Sequence, residues 1–436
     1  MFARAMQSRV PSRALTAAAR RTRHTSINAP TLPALLRSFN NSSDAVQRSS
    51  SAPPLRPDFV TRKLQIPIDP AAVRETLGEA IPDTPIAVLR TVTGIRDWAG
   101  LSSWRSTGGD DQGVALVPTM GALHEGHLRL IRDAVRRGHS KIVVSIYVNP
   151  AQFGVAEDLD SYPKTWDADC AVLKELYEEL NAAHTATARP GHDPPKPQLE
   201  MAVFAPTTPE MYPSGFPGQK VDSHGSFVSI TPVGGLLEGK TRPTFFRGVA
   251  TVCMKLFNIV QPSRVFFGQK DVQQTVVIRK MVRDFCMPLE AVVVPTVRDG
   301  ADGLALSSRN VYLGTRRRRV APVLVRALRA AEQAYVGGSL EAGEVVPAAL
   351  KVILDTLNEQ KDLPPHEGVL FQLDYISLAD PDTMEEIDEI DPSKGAILSG
   401  AIKMLPVYAA QEGEDLGHSG GPPVRLIDNI ILPPKA

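Results

Sequence analysis

The sequence predicts an α/β fold: a doubly wound, parallel, Rossmann-like sheet followed by a smaller C-terminal α+β lid domain. Three observations carry this. From residue 85 short β-branched or aromatic runs alternate with stretches of helical periodicity, the pattern that builds right-handed βαβ units. Polar clusters follow the ends of several of those runs, where such sheets place their ligand crevice. After about residue 305 the alternation stops, and two helical stretches precede three strand-like ones. The length of 436 residues suits two domains of roughly 100–200 residues with chain to spare. The expected division is an N-terminal extension over 1–84, a nucleotide-binding domain over 85–304 and the lid over 305–436.

In chain order, the strand candidates of the first domain are Pro85–Leu89, Val114–Thr119, Lys141–Val148, Ala202–Ala205, Arg264–Phe267 and Ala291–Val294. Each has the length and residue types of a buried strand. Leu128, Ile131 and Val135 recur at helical spacing, with Arg136 and Arg137 in the last turn and Gly138 as the stop. Val249–Ile259 and Val272–Val282 show the same spacing. In the second domain Arg317–Tyr335 and Ala342–Asn358 read as helices, and Phe371–Ile376, Ala396–Met404 and Arg425–Leu432 as strands. Two loops, Ala183–Gln198 and Gln411–Pro423, read as tolerated surface insertions.

Composition narrows the classes. Lysine plus arginine equals aspartate plus glutamate at 48 each, so no overall charge draws the chain to nucleic acid or an anionic membrane. No apolar run approaches the ~18 residues of a membrane helix. Cys170, Cys253 and Cys286 have no paired spacing, which argues against a disulfide framework or a cysteine zinc site. A soluble intracellular protein is expected. The charge balance hides an asymmetry: residues 1–60 hold nine arginines and two acids, leaving 39 basic and 46 acidic groups beyond them. An arginine-rich, acid-poor start has the composition of a mitochondrial transit peptide. A disordered basic tail fits the same composition, so mitochondrial and cytoplasmic locations both stay open.

The most informative segment is Leu116-Val-Pro-Thr-Met-Gly-Ala-Leu-His-Glu-Gly-His127. It joins a strand end to a helix start, where backbone N–H groups and the helix dipole favour an anion. His124 and His127, three apart, project from one face; as imidazolium ions they could meet phosphate oxygens. A structural pair or two metal ligands are the alternatives, though zinc needs a third ligand and the spacing is not His-Glu-x-x-His. A second strand end leads into Gly-Gln-Lys270-Asp271, followed by Gln273 and Gln274. Leu306-Ser-Ser-Arg309-Asn310 near the domain junction suits a triphosphate, because arginine binds phosphate through two bonds at once. Asn149-Pro-Ala-Gln152 places an amide over the same crevice. A turn or polar hinge explains each of these taken singly; their convergence is what a binding site requires. Gly234–Thr241 also fits the phosphate-loop pattern, following a strand-like run, Phe227–Val233. Pro243 falls where that loop's helix should be under way, which argues against it.

These segments together resemble the pantothenate synthetase (pantoate–β-alanine ligase) family of the His-x-Gly-His nucleotidyltransferase superfamily. The matching runs are 118–127, Val-Asn-Pro-Ala-Gln-Phe at 148–153, Glu-Asp-Leu-Asp-Ser-Tyr-Pro at 157–163, Leu-Glu-Gly at 237–239, Arg-Pro at 242–243, Phe-Arg-Gly at 246–248, Phe-Gly-Gln-Lys-Asp at 267–271 and Gly-Leu-Ala-Leu-Ser-Ser-Arg-Asn at 303–310. The resemblance implies an ATP site lined by Met120, Gly121, Ala122, Leu123, His124, Glu125, Gly126 and His127. Gly268, Gln269, Lys270, Asp271, Val297, Leu306, Ser307, Ser308 and Arg309 would complete it. Catalytic roles fall to His127, as proton donor, and to His124, Lys270 and Arg309. Gln152 and Gln274 would hold pantoate, and Gln152 would also meet β-alanine. Two departures stand out: Gln269 where the family often has Glu, and Thr244-Phe245 where it often has Gly-His.

The activity so implied is ATP- and Mg2+-dependent condensation of pantoate with β-alanine through a pantoyl adenylate, releasing AMP and pyrophosphate, in a homodimer that binds neither nucleic acid nor membrane. Another adenylyl-forming member of the superfamily, acting on a different small acid, is the alternative. A phosphate-loop kinase and a nucleotide-binding regulator with a dead site stand further off.

Overall fold

Six strands lie side by side, all parallel, in the order β1-β4-β3-β2-β5-β6. They are β1 Ala87–Leu89, β2 Val114–Thr119, β3 Lys141–Ile146, β4 Glu200–Phe204, β5 Arg264–Gly268 and β6 Glu290–Val294. The structure is a computed structural model that describes residues 79–100, 113–154, 159, 162–186, 198–216 and 218–435. The arginine-rich N-terminus, most of the Ala183–Gln198 loop and most of the 157–163 motif lie outside the described residues.

The strands read as continuous apolar runs because both faces of the sheet are covered. Alternate residues of each strand enter different cores. Leu116, Val143, Val265 and Phe267 pack with α1 (Val92–Ala99), α4 (Phe245–Val260) and α5 (Val272–Asp284). Ala115, Val117, Ile142, Val144 and Phe266 pack with α2 (Glu125–Arg136) and α3 (Trp166–Ala186). The chain leaves β2 toward β3 on one side, while β5 lies on the other. A topological switch point therefore falls between β2 and β5.

A second sheet, antiparallel, is formed by β7 (Phe371–Ala379), β8 (Ala396–Met404) and β9 (Val424–Leu432) in that order. Its core is shared with α6 (Gly314–Val320), α7 (Val323–Val336) and α8 (Ala342–Asp362). Both sheets belong to one compact unit, Pro67–Ala436.

Three local expectations need correction. The helix expected over Arg317–Tyr335 is two helices, parted at Pro322, which has no N–H to continue the first. The strand-like run Phe227–Val233 joins no ladder. It runs irregularly along α4, with Val228 N–H donating to Thr251 Oγ1 at 3.0 Å, and ends in a 3-10 turn, Val233–Gly235. The Gln411–Pro423 loop is not a passive insertion: it wraps the fully buried Arg317. That guanidinium donates to the carbonyls of Leu313 (2.9 Å), Leu416 (3.1 Å), Pro422 (2.7 Å) and Tyr312. One buried cation thus ties two carbonyls of the loop, Leu416 and Pro422, to the start of α6.

Arg317→Met is expected to lower the unfolding free energy by about 3 kcal/mol, because several carbonyls around one buried side chain lose their charged donor together. Urea melts measure this, and a change below about 1 kcal/mol would contradict the role assigned to Arg317.

Candidate active site

β2 pairs with β3 along its whole length, but with β5 only at Ala115↔Arg264 and Leu116↔Val265. Beyond that point the two strands part, and Pro118 has no N–H with which to bridge them. A cleft of about 980 Å³ opens there and reaches the antiparallel sheet.

On the β2 side the chain turns sharply into α2. Thr119 Oγ1 donates to the Ser145 carbonyl (2.7 Å) and accepts from Gly121 N–H (3.2 Å). Gly121 and Ala122 both have positive φ, +84° and +50°, and glycine is the residue that takes the first of these without strain. Asp169, in the first turn of α3, holds the turn: its two carboxylate oxygens accept from Ala122 N–H (3.0 Å) and Leu123 N–H (2.7 Å). Burial raises the Asp169 pKa against the lowering effect of those bonds. Two backbone amides of the strand-to-helix turn are therefore already spoken for. The anion-binding capacity rests on the side chains.

His124 caps α2, its Nδ1 accepting from Gly126 N–H at 3.1 Å. The His124 and His127 rings lie 4.1 Å apart between centroids. His127 Nδ1 is enclosed and makes no hydrogen bond among the described residues. Burial, helped by the Lys270 charge, pushes the His124 pKa down to about 4. Burial, then His124 and Lys270, push His127 down to about 3. Both rings are consequently neutral at pH 7 among protein groups alone, not the imidazolium ions suggested by position in the sequence. Negative charge brought into the cleft would raise both values.

On the β5 side, Gly268 leads into the 3-10 turn Gln269–Asp271. Lys270 Nζ lies 3.3 Å from Asp271 Oδ1. The 306–309 segment joins from the far wall: Leu306 N–H donates to the Val297 carbonyl (3.0 Å), and Ser307 Oγ caps the turn Ser308–Tyr312 by accepting from Arg309 N–H (3.3 Å).

At the cleft floor Asn149 orients Gln152. Asn149 Oδ1 accepts from Tyr212 Oη (2.7 Å), and its Nδ2 donates to Gln152 Oε1 and to the Gly248 carbonyl, each at 3.2 Å. Gln152 Nε2 meets only the Met120 thioether, at 3.1 Å, among the described residues. Sulfur is a weak acceptor, so this N–H can turn to a substrate oxygen. The arrangement needs glycine at 248, where a Cβ would fall 2.3 Å from the Ala151 carbonyl oxygen.

Of the sequence candidates, Met120, His124, Gly126, His127, Gln152, Gly268, Lys270, Asp271, Gln274, Val297, Leu306, Ser307, Ser308 and Arg309 all line the cleft. Gly121, Ala122, Leu123, Glu125 and Gln269 do not. Gly121 to Leu123 form the turn held by Asp169, and Glu125 pairs with Arg132 on the outer surface of α2 (2.6 Å). Gln269 turns to Asn429 on β9 (3.1 Å). Gln273 is structural, donating to the Val233 and Leu236 carbonyls (both 2.8 Å). Phe245, one of the departures noted above, stacks on the Arg242 guanidinium (3.9 Å). The phosphate-loop lookalike is closed on itself: the Gly234 carbonyl presses on Gly239, and the Glu238 carboxylate is engaged by Arg425 (2.6 Å) and Tyr375 (3.0 Å). Asp169, Asn429 and the Glu238–Arg425 pair were not visible in the sequence. Asp169, for instance, looks like any acid in a helix's first turn.

A parallel sheet with neutral histidines, a lysine and an arginine-bearing loop around its switch point defines a nucleotide-binding α/β protein of the Rossmann-like class. The family model described as Pantoate-beta-alanine ligase matches residues 87–431. Pantothenate synthetase of Chloroflexus aggregans is 43% identical over 319 residues, 73% of this chain and 93% of that one. The corresponding protein of Acetivibrio thermocellus is 38% identical, over 73% and 91% of the two chains. A crystal structure of pantothenate synthetase from Thermus thermophilus is 36% identical, with a TM-score of 0.56, and covers 79% of this chain and 98% of that one. The chain belongs to the pantoate–β-alanine ligase family.

The lowered histidine values have a sign in stability. As pH falls below 6.5 the unfolded chain takes up protons before the folded one, so the pair removes stability between about pH 6.5 and pH 4. His127→Gln should therefore lose about 2 kcal/mol less than the parent protein over that interval in urea melts. Parallel losses in the two proteins would contradict the neutral pair.

Proposed function

We propose that this protein joins pantoate to β-alanine with ATP, through a pantoyl adenylate, releasing AMP and pyrophosphate. The observation that carries this is the meeting, in one cleft, of polyphosphate-binding groups (His124, His127, Lys270, Arg309) with amides that suit a small hydroxy acid (Gln152, Gln274). A carboxylate is a poor electrophile and needs a leaving group before an amine can displace it. A pantoate oxygen bonds to the α-phosphorus of ATP as the bond to pyrophosphate breaks. The neutral amine nitrogen of β-alanine then bonds to the acyl carbon, AMP leaves with the electron pair of the broken anhydride bond, and the proton lost from nitrogen passes to solvent.

The residues divide this work. Lys270 and Arg309 supply fixed positive charge for the departing pyrophosphate. His127, neutral before substrate enters, donates an N–H to the phosphate oxygens as charge builds on them. Gln152 Nε2 orients an oxygen of the acid. Among the described residues no cluster of three His, Cys, Asp or Glu side chains could hold a metal. Mg2+ would come with ATP, and Asp271 is one of the carboxylates lining the cleft that would hold it. When bound it neutralises phosphate charge. The family resemblance supports a homodimer as the working form.

The test is product analysis of the purified protein with Mg-ATP and pantoate, with and without β-alanine. AMP and pyrophosphate should accumulate over many turnovers only when β-alanine is present. ADP as the product, or turnover with another small acid but not with pantoate, would overturn the proposal.

A further inference from the structure

Lys270 bears charge in the site, yet the turn that presents it has no side-chain cap of its own. What holds it comes from the other sheet. Asn429 of β9 is 1% exposed, and its Nδ2 donates to the carbonyls of both Gln269 and Lys270 at 2.9 Å. Carbonyls can only accept, so this pair of bonds fixes which way the Asn429 amide faces. Its Oδ1 then points at Gln269 and requires a donor, which Gln269 Nε2 provides at 3.1 Å. Three hydrogen bonds close a ring between β9 and the Lys270 turn.

The ring is fixed from behind. Asp428 accepts from Asn429 N–H (2.8 Å) and from both terminal nitrogens of Arg298 (2.5 and 2.9 Å). Arg298 follows Val297 on the cleft wall. A single dipeptide of the antiparallel sheet therefore sets the position of two loops that line the cleft.

We propose that Asn429 is a positioning residue for Lys270, and that Gln269 is the matched partner which allows it to be. This rests on the ATP-binding role proposed above for Lys270. It accounts for one of the departures noted in the sequence: a glutamate at 269 would set a carboxylate against the Asn429 carbonyl oxygen, two acceptors with no proton between them. In this chain glutamine is the side chain that completes the ring, and the Gln269 side chain acts on the nucleotide through Lys270 rather than by touching it.

The experiment is a double-mutant cycle read as Mg-ATP affinity by calorimetry, without pantoate, on the parent protein, Asn429→Ala, Lys270→Ala and the double variant. Asn429→Ala should weaken binding about tenfold when Lys270 is present and less than about twofold when it is absent, because the two act as one unit. The same factor in both backgrounds, or no weakening, would overturn the proposal. If Asn429→Ala does not fold, Gln269→Met removes only the donor to Oδ1 and carries the same cycle, with about a threefold loss expected beside Lys270. Failure of the parent protein to bind Mg-ATP, or full binding by Lys270→Ala, would instead strike the proposed role of the site.

Discussion

The short pairing between β2 and β5 is the constraint on which the rest depends. Two residue pairs hold the strands together at their amino-terminal ends, after which they separate. Because the chain crosses over in opposite directions from these neighbours, both loops that follow them open into the same gap. That brings His124 and His127, within about a dozen residues of one strand's start, opposite Lys270, nearly 150 residues further on. A fully paired β2–β5 ladder would close the floor of the cleft and leave these groups on separate surfaces.

The electrostatics follow from this geometry. The strand-to-helix turn is itself locked by a buried carboxylate, Asp169, which occupies two of its amides, and the histidine side chains line the cleft. Burial keeps both rings neutral, which avoids stacking two cations beside Lys270. In the antiparallel sheet Arg425 is committed to Glu238 and Asp374, and Asp428 to Arg298. The sheet sets loop position through these pairs, and the groups assigned to the polyanion are those at the switch point and on the 306–309 loop.

Much of this was legible in the sequence for physical reasons. Strands buried on both faces are apolar nearly throughout, so the spans of parallel β2 and of β8, the central strand of the antiparallel sheet, could be read to the residue, and the end of α2 was marked by Gly138. The strand-to-helix junctions marked the cleft-lining clusters. What could not be read depends on distance along the chain. Asp169 lies 47 residues from Ala122 and Asn429 160 from Gln269, and neither has a local pattern to betray it. Histidine charge could not be read, because burial, which lowers both pKa values before an anion enters, is a property of the fold. The Gln411–Pro423 loop looked disposable for a similar reason: its value lies in carbonyls that face Arg317, and backbone groups leave no mark on composition.

The proposed chemistry turns on one step, the attack of a carboxylate oxygen on the α-phosphorus of ATP within this cleft. The most direct measurement is mass analysis of AMP formed from pantoate labelled with 18O in its carboxylate, with β-alanine present. One labelled oxygen is expected in each AMP released. Label in pyrophosphate or inorganic phosphate, with unlabelled AMP or ADP, would contradict it.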